Sequence, residues 1–399
     1  MTIVKINSES EKTSPKKFAL FQLGFRPFFV LAGFSAIILI SVWIVLLASK
    51  SGFNNYYGLV AWHSHEMLFG FIVAVIAGFL LTSVQNWTGL PTLKGVGLIA
   101  LVGLWLLARI FALLPEIFPL WLIALSDLSF IPVLAIVLTI PIIKSNKKPQ
   151  LIFVAILCAM FFANILVHLQ LLGVTTSTFD LGITLMINSV LLIIVIMTGR
   201  VVPFFIERGA PGAKPVTWPL IEKLSFGVMI AILIVELISP IPWFLTSLFC
   251  FAFIVHTVRL YGWSSKVVLS VPLLWVLYCG YLWLILGFIL KAFAIMDIGI
   301  EVMAVHALAA AMSVLSLGMM SRVSLGHTGR ALKTAKVISW AFILLNMAML
   351  IRVFGPILLP EMFGLVVVFS GALWSLVFVI FLYIYVPILI RARVDGQPG

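Results

Sequence analysis

The feature that most constrains this chain is a rhythm of twelve apolar runs, each roughly 20 residues long and bounded by proline, glycine or charge. A run of that length spans the hydrocarbon of a bilayer when coiled as an α-helix, which satisfies its own backbone hydrogen bonds where water cannot. The runs lie near residues 28–49, 60–84, 95–114, 119–143, 151–172, 181–202, 220–238, 241–259, 268–291, 301–321, 336–355 and 363–390. With 63% hydrophobic and 10% charged residues, no soluble domain has room among them. The expected fold is an all-α polytopic membrane protein with about twelve transmembrane helices. Residues 1–27 read as a cytoplasmic N-terminal tail, 28–390 as a single transmembrane domain and 391–399 as a cytoplasmic C-terminal tail. The longest connection, near 206–219, divides the helices six and six. The first run is too long for a signal peptide and is expected to stay in the protein.

Placing the N-terminus in the cytoplasm puts 21 of the 25 Lys and Arg on the inner side. Only Lys50, Arg109, Lys291 and Arg352 fall to the outer half. By the positive-inside rule both termini are cytoplasmic. The same asymmetry accounts for the net charge of +12 with the lipid bilayer as partner and no nucleic acid. Cys158, Cys250 and Cys279 each stand alone inside an apolar run, so neither a disulfide nor a zinc site is expected, and they read as small core residues.

Ionisable side chains are costly in hydrocarbon, so those inside the runs carry the functional information. The densest cluster is Trp62-His63-Ser64-His65-Glu66-Met67 at the start of the second run. At about 100° per residue, His63 points with Glu66, Met67, Gly70, Ala74 and Gly78, while His65 points about 200° away with Phe69, Ile72 and Ile76. The two imidazoles cannot share one ion unless the helix start is unwound; as ligands they would serve two sites. Under the predicted topology His63, His65, His168 and His306 share one depth near the outer face, while His256 and His327 lie inside. Neutral imidazole suits copper, iron, zinc and the axial position of haem, and no carboxylate-rich cage for calcium or magnesium is present.

Small residues beside His63 and His306 let helices approach closely and also leave room for a flat macrocycle. Asn164, one turn before His168, is placed to orient that ring, and Met67 offers a soft thioether. Arg26, Arg200, Arg259, Arg322 and Arg330 stand at inner helix ends, where topology alone would put them; a bidentate guanidinium also suits haem propionates, nitrite or another oxyanion. His256 and Arg259, one turn apart, are the best candidates for that second role.

Six segments together resemble the NnrS family: FRPFF before helix 1, WHSHEMLFGF and AGFLLTSVQNWTG across helix 2, ANILVHL in helix 5, GRVVPFF after helix 6, and HALAAAMSVLSLGMMSRVSLGHTGR from helix 10. The family's motifs fall on His63, His65, Glu66, Asn86, Trp87, His168, Arg200, His306, Arg322, His327 and Arg330. The resemblance implies a bacterial inner-membrane protein carrying haem, expected to be b-type, and copper, linked to nitric oxide metabolism and resistance to nitrosative stress. An unidentified electron donor follows if the protein is a metal-dependent oxidoreductase acting on nitric oxide. Of the two histidines in helix 2, His65 is assigned to the edge of a haem pocket and His63 to copper. The alternative from another class is a twelve-helix transporter for a metal, haem or small anion. It is disfavoured because the loop QNWTGLPTLKG lacks the basic motif of the major facilitators. A haem-copper oxidase plan is disfavoured because the His-x-His lies on helix 2 rather than helix 10.

Overall fold

The computed structural model describes residues 18–49, 53–238 and 241–397. Among these residues the chain forms twelve long helices and no strand: α1 (Phe25–Ser49), α2 (Leu59–Thr88), α3 (Val96–Ala112), α4 (Leu120–Lys144), α5 (Leu151–Leu171), α6 (Phe179–Gly209), α7 (Pro219–Ile238), α8 (Pro242–Gly262), α9 (Pro272–Ile295), α10 (Glu301–Gly326), α11 (Lys336–Leu358) and α12 (Phe363–Leu389). Ten of them are long and apolar enough to cross a membrane. The other two fall short, α3 in length at 17 residues and α7 because it carries Glu222, Lys223 and Glu236. The chain is an all-α polytopic membrane protein.

Glycine decides where the helices touch most closely. A Cβ on Gly280 or Gly287 of α9 would sit 2.6 Å from Leu315 or 2.4 Å from Leu308 of α10, and one on Gly318 of α10 would sit 2.8 Å from Val276. The same device brings α1 to α12, where a Cβ on Gly33 would lie 2.6 Å from Leu382 and one on Gly371 2.7 Å from Ile44. With no hydrophobic drive between helices in lipid, this close backbone approach supplies the dispersion contact that holds the bundle. Gly78 on α2 serves the same end, because its missing side chain is filled by Phe29 of α1.

Two proline motifs expected to flank helices lie inside them. FRPFF opens α1, with Pro27 in the first turn, where an amide N–H has no helical partner to lose. GRVVPFF belongs to α6, which runs through Pro203 to Gly209, so the central connection is 210–218 and shorter than expected. Proline is tolerated there because neighbouring helices support the interrupted ladder. α10 likewise continues five residues past its expected end, taking Arg322 into the helix. Cys158 is exposed rather than a core residue, and Cys250 and Cys279 are half-buried; all three are free.

Both ends of the described chain meet at one end of the bundle. The Ala19 N–H donates to Ile390 O at 2.8 Å, and Arg26 Nη1 donates to Leu389 O at 2.7 Å and Arg391 O at 2.8 Å, so Arg26 caps the C-terminus of α12. Most of the expected N-terminal tail, residues 1–17, lies outside the described residues, as does Lys50. Reporter fusions after Gly89 and Asn146 are expected to read cytoplasmic, and fusions after Pro115 and Thr176 external. An external reading at Asn146 would invert the assignment.

Candidate metal centre

Helix α2 does not start as a plain α-helix. After Leu59–His65 it widens into a π-helical stretch, Glu66–Ile72, before resuming α geometry at Val73. Such stretches change the angular register of side chains and recur at functional sites. One expectation is corrected at the first residue of this stretch: Glu66 does not side with His63. Its Oε1 lies 3.2 Å from His65 Nδ1, and its Oε2 lies 3.0 Å from Arg109 Nε on α3. Gly70 makes this possible, since a Cβ there would stand 3.0 Å from Glu66 Oε2.

His65 is fully buried, and three further helices converge on it. Its Nε2 lies 3.2 Å from Asp127 Oδ2 on α4 and 3.2 Å from Asn164 Oδ1 on α5. Asn164 Nδ2 donates to Asp127 Oδ2 at 2.7 Å, and His168 Nε2 donates to the same oxygen at 3.0 Å. Arg109 Nη2 donates to Asp127 Oδ1, and its Nη1 donates to Phe69 O at 3.0 Å. Asn164 thus orients Asp127 and His65 rather than the ring of His168, as its spacing had suggested.

The loop between α1 and α2 closes the cluster. Asn55 Oδ1 accepts from the N–H of Tyr57 at 2.9 Å and of Gly58 at 3.0 Å, an Asx turn that Gly58 completes at φ 81°. The Tyr56 N–H donates to Ala112 O at 2.9 Å, tying the loop to the end of α3. These constraints set Tyr56 OH 3.1 Å from His168 Nδ1 and stack Tyr57 on His65 at 4.2 Å, with its OH 3.4 Å from Nε2. Burial first, then the Asp127 carboxylate, pushes both phenols above their usual range, so both keep their protons.

One donor atom each from His65, Asp127 and His168 lies within 4.8 Å of the others, and all three side chains are buried. Two imidazole nitrogens and a carboxylate oxygen suit a borderline transition-metal ion. Haem does not fit here. Tyr57 and Phe69 cover both faces of His65, the latter at 4.6 Å, and the free space beside the cluster is about 10 Å³.

The other expected histidines go elsewhere. His63 stacks on Trp43 at 4.2 Å and lies within electrostatic reach of His306 and Arg352, with its Nδ1 buried and unpartnered. His306 Nδ1 donates to Val302 O at 2.7 Å. The four histidines expected at one depth therefore split into two pairs on opposite faces of α2. Met67 packs half-buried against the apolar core. Asn86 is exposed, and Trp87 stacks on Phe153 at 5.2 Å beneath Arg200, about 30 Å along α2 from His65.

The remaining expected residues gather toward the end that carries the termini. Tyr281 OH bridges His256 Nδ1 at 2.5 Å and Arg259 Nη1 at 3.0 Å, while Arg259 Nε donates to Glu222 Oε1 at 2.9 Å. Gly199 clears the way for Arg259, whose Nη2 occupies the position a Cβ would take. Arg200 donates to Gln150 Oε1 at 2.7 Å beside a cavity of about 330 Å³ that Glu222 and Arg259 also line. Arg322 lies over Phe205 at 3.8 Å. His327 caps α10, and burial followed by the charge of Arg393 pushes its ring down to about 4. Arg330, nearby, lies within electrostatic reach of Arg26.

Fold and site together define a class: a multi-pass helical membrane protein with a histidine and carboxylate cluster sealed among four of its helices. The chain belongs to the NnrS family, whose model, described as NnrS protein, matches residues 19–393. None of the curated proteins matches it.

Proposed function

We propose that this protein holds a copper ion at His65, Asp127 and His168 and acts with it in nitric oxide metabolism or nitrosative-stress resistance in the bacterial inner membrane. The observation that carries the reading is the convergence of three buried donor atoms within 4.8 Å, supported by family membership. The ion, when bound, supplies one-electron chemistry toward a small nitrogen species, drawing on an electron donor yet to be identified.

Charge favours a small cation. His65 faces oxygen acceptors from both ring nitrogens and so donates from both, as an imidazolium. With Arg109 it balances the carboxylates of Glu66 and Asp127. His65 Nε2, holding a cuprous ion in place of its proton, would leave that balance unchanged. His168 adapts in the same way: its Nδ1 faces Tyr56 OH, which can accept as readily as donate. The ring proton can therefore sit at Nδ1, which would leave Nε2 free to hold the ion. Tyr57, Phe69 and the α1–α2 loop exclude water from these exchanges.

A b-type haem, which the family resemblance also implies, would be held by His63 or His306, the two histidines on the other face of α2. The unpartnered Nδ1 of His63 supports that assignment, reversing the sequence-based pairing of His65 with haem and His63 with copper.

The test is metal analysis by mass spectrometry and an optical spectrum of protein purified from membranes. The expected result is near-stoichiometric copper together with a haem Soret band. Background copper in protein prepared without chelators would overturn the copper reading.

A further inference from the structure

Away from the metal cluster, α1, α2, α6, α9 and α10 enclose a chamber of about 80 Å³. Its wall is apolar: Phe29 from α1, Ile72 and Ile76 from α2, Met197 from α6, Leu277 from α9 and Met312 from α10, every one of them buried. Thr198 and Ser316 are the only hydroxyls on it, and Thr198 Oγ1 already donates to Ile194 O at 2.7 Å. A water molecule needs two to four polar partners to be stable in a cavity, and this wall does not offer them. One side is less closed. Phe79, Ile194, Val201, Ser316 and Met319 are half-buried and form a largely apolar mouth.

Size narrows the occupant. An engineered apolar cavity of about 150 Å³ stays dry and binds benzene or xenon. A chamber about half as large accommodates a diatomic molecule or a single xenon atom. We propose that this chamber is a binding site for one small uncharged apolar molecule, taken up through the apolar mouth and held against α2. The chamber contains no ionisable side chain, so the occupant is selected by size and lack of charge. α2 carries the chamber wall at Ile72 and Ile76 and one donor of the metal cluster, His65, which makes it the element shared by ligand uptake and metal chemistry. Nitric oxide belongs to this ligand class. That link rests on the function proposed above; the ligand class itself does not.

The experiment is xenon pressurisation of crystals of the full chain, read by anomalous scattering, with copper measured on the same preparation. The expected result is a xenon peak in van der Waals contact with Ile76 and Met312. It should be lost in Ile193→Phe and, independently, in Val190→Phe, since each fills the chamber from α6. Copper content should be unchanged in both variants. Ordered water in the chamber, an empty chamber while xenon binds elsewhere, or a peak that persists in either folded variant would overturn the proposal. The parent's peak decides the matter even if neither variant folds. Xenon uptake with background copper would sink the metal reading alone, and copper without xenon would sink the chamber alone.

Discussion

Asp127→Asn is expected to empty the metal centre while leaving the bundle folded. Asp127 is the hub of the cluster: its Oδ2 faces His65, Asn164 and His168, and its Oδ1 takes Arg109. Even the loss of an outer hydrogen-bond partner lowers metal affinity by about 10–100-fold, and a direct ligand should cost at least that. Asparagine keeps the volume and an oxygen for Arg109, and its amide can donate to His65 and His168 once each ring gives up its Nε2 proton; release of the His65 proton also restores the charge balance, so the helices stay packed. Asp127→Ala is a different case, because it leaves the buried guanidinium of Arg109 with Glu66 alone. Breaking a buried pair from one side costs about 3–5 kcal/mol. The alanine variant should therefore lose both metal and thermal stability, whereas the asparagine variant loses mainly metal. Copper analysis and thermal unfolding in detergent separate the two. Full copper retention in Asp127→Asn would remove this residue from the ligand set.

That Asp127 had to be found in the structure shows where the sequence is readable. Twelve apolar runs yield twelve helices, because length and apolarity are local properties that no tertiary context overrides. The split between His63 and His65 was readable too, since two positions on a helix face nearly opposite ways whatever surrounds them. Glu66 was assigned to the wrong histidine because its side chain is long enough to reach the ring of the preceding residue and Arg109 of the next helix, and the 100° rule gives only the direction in which a side chain leaves the helix. Asp127 and Arg109 left a signal that went unused. Asp127 is the only acidic residue in the run LWLIALSDLSFIPVLAIVLTIPIIK, and an intramembrane carboxylate is a functional hypothesis in itself. Arg109 is one of four basic residues that break the inner-side bias. Of the other three, Lys291 lies 3.9 Å from Glu236, and Arg352 lies within reach of His63 and His306. Each described exception to the topology rule thus lies near an ionisable side chain within the bundle. Tyr56 and Tyr57 could not have been anticipated, because a loop residue reaches a site through tertiary closure rather than through any periodic pattern.

His65→Ala and His63→Ala are expected to part company. His65 contributes a donor atom to the proposed copper site and hydrogen-bonds or ion-pairs with Glu66, Asp127 and Asn164, so its loss would remove a ligand and leave two carboxylates with one fewer counter-charge. Copper should fall at least about 10-fold, as for any disrupted ligand arrangement. His63 touches none of these groups. Its ring stacks on Trp43, and its electrostatic neighbours are His306 and Arg352, on the other face of α2. His63→Ala should therefore leave copper within about twofold of the parent, the scatter expected for sites that share no partner. On the haem assignment proposed above, the same variant should lose Soret absorbance, because it removes the buried nitrogen that has no hydrogen-bond partner. His306→Ala, which acts on the same face, should follow His63→Ala rather than His65→Ala. The measurement is copper content and Soret absorbance for each variant, normalised to folded protein by size-exclusion chromatography. Equal loss of copper in both helix-2 variants would mean that the start of α2 unwinds to bring the two rings to one ion. Full retention of copper and haem in both would reduce the histidines to packing, with Asp127 and Arg109 then serving only to balance each other's charge.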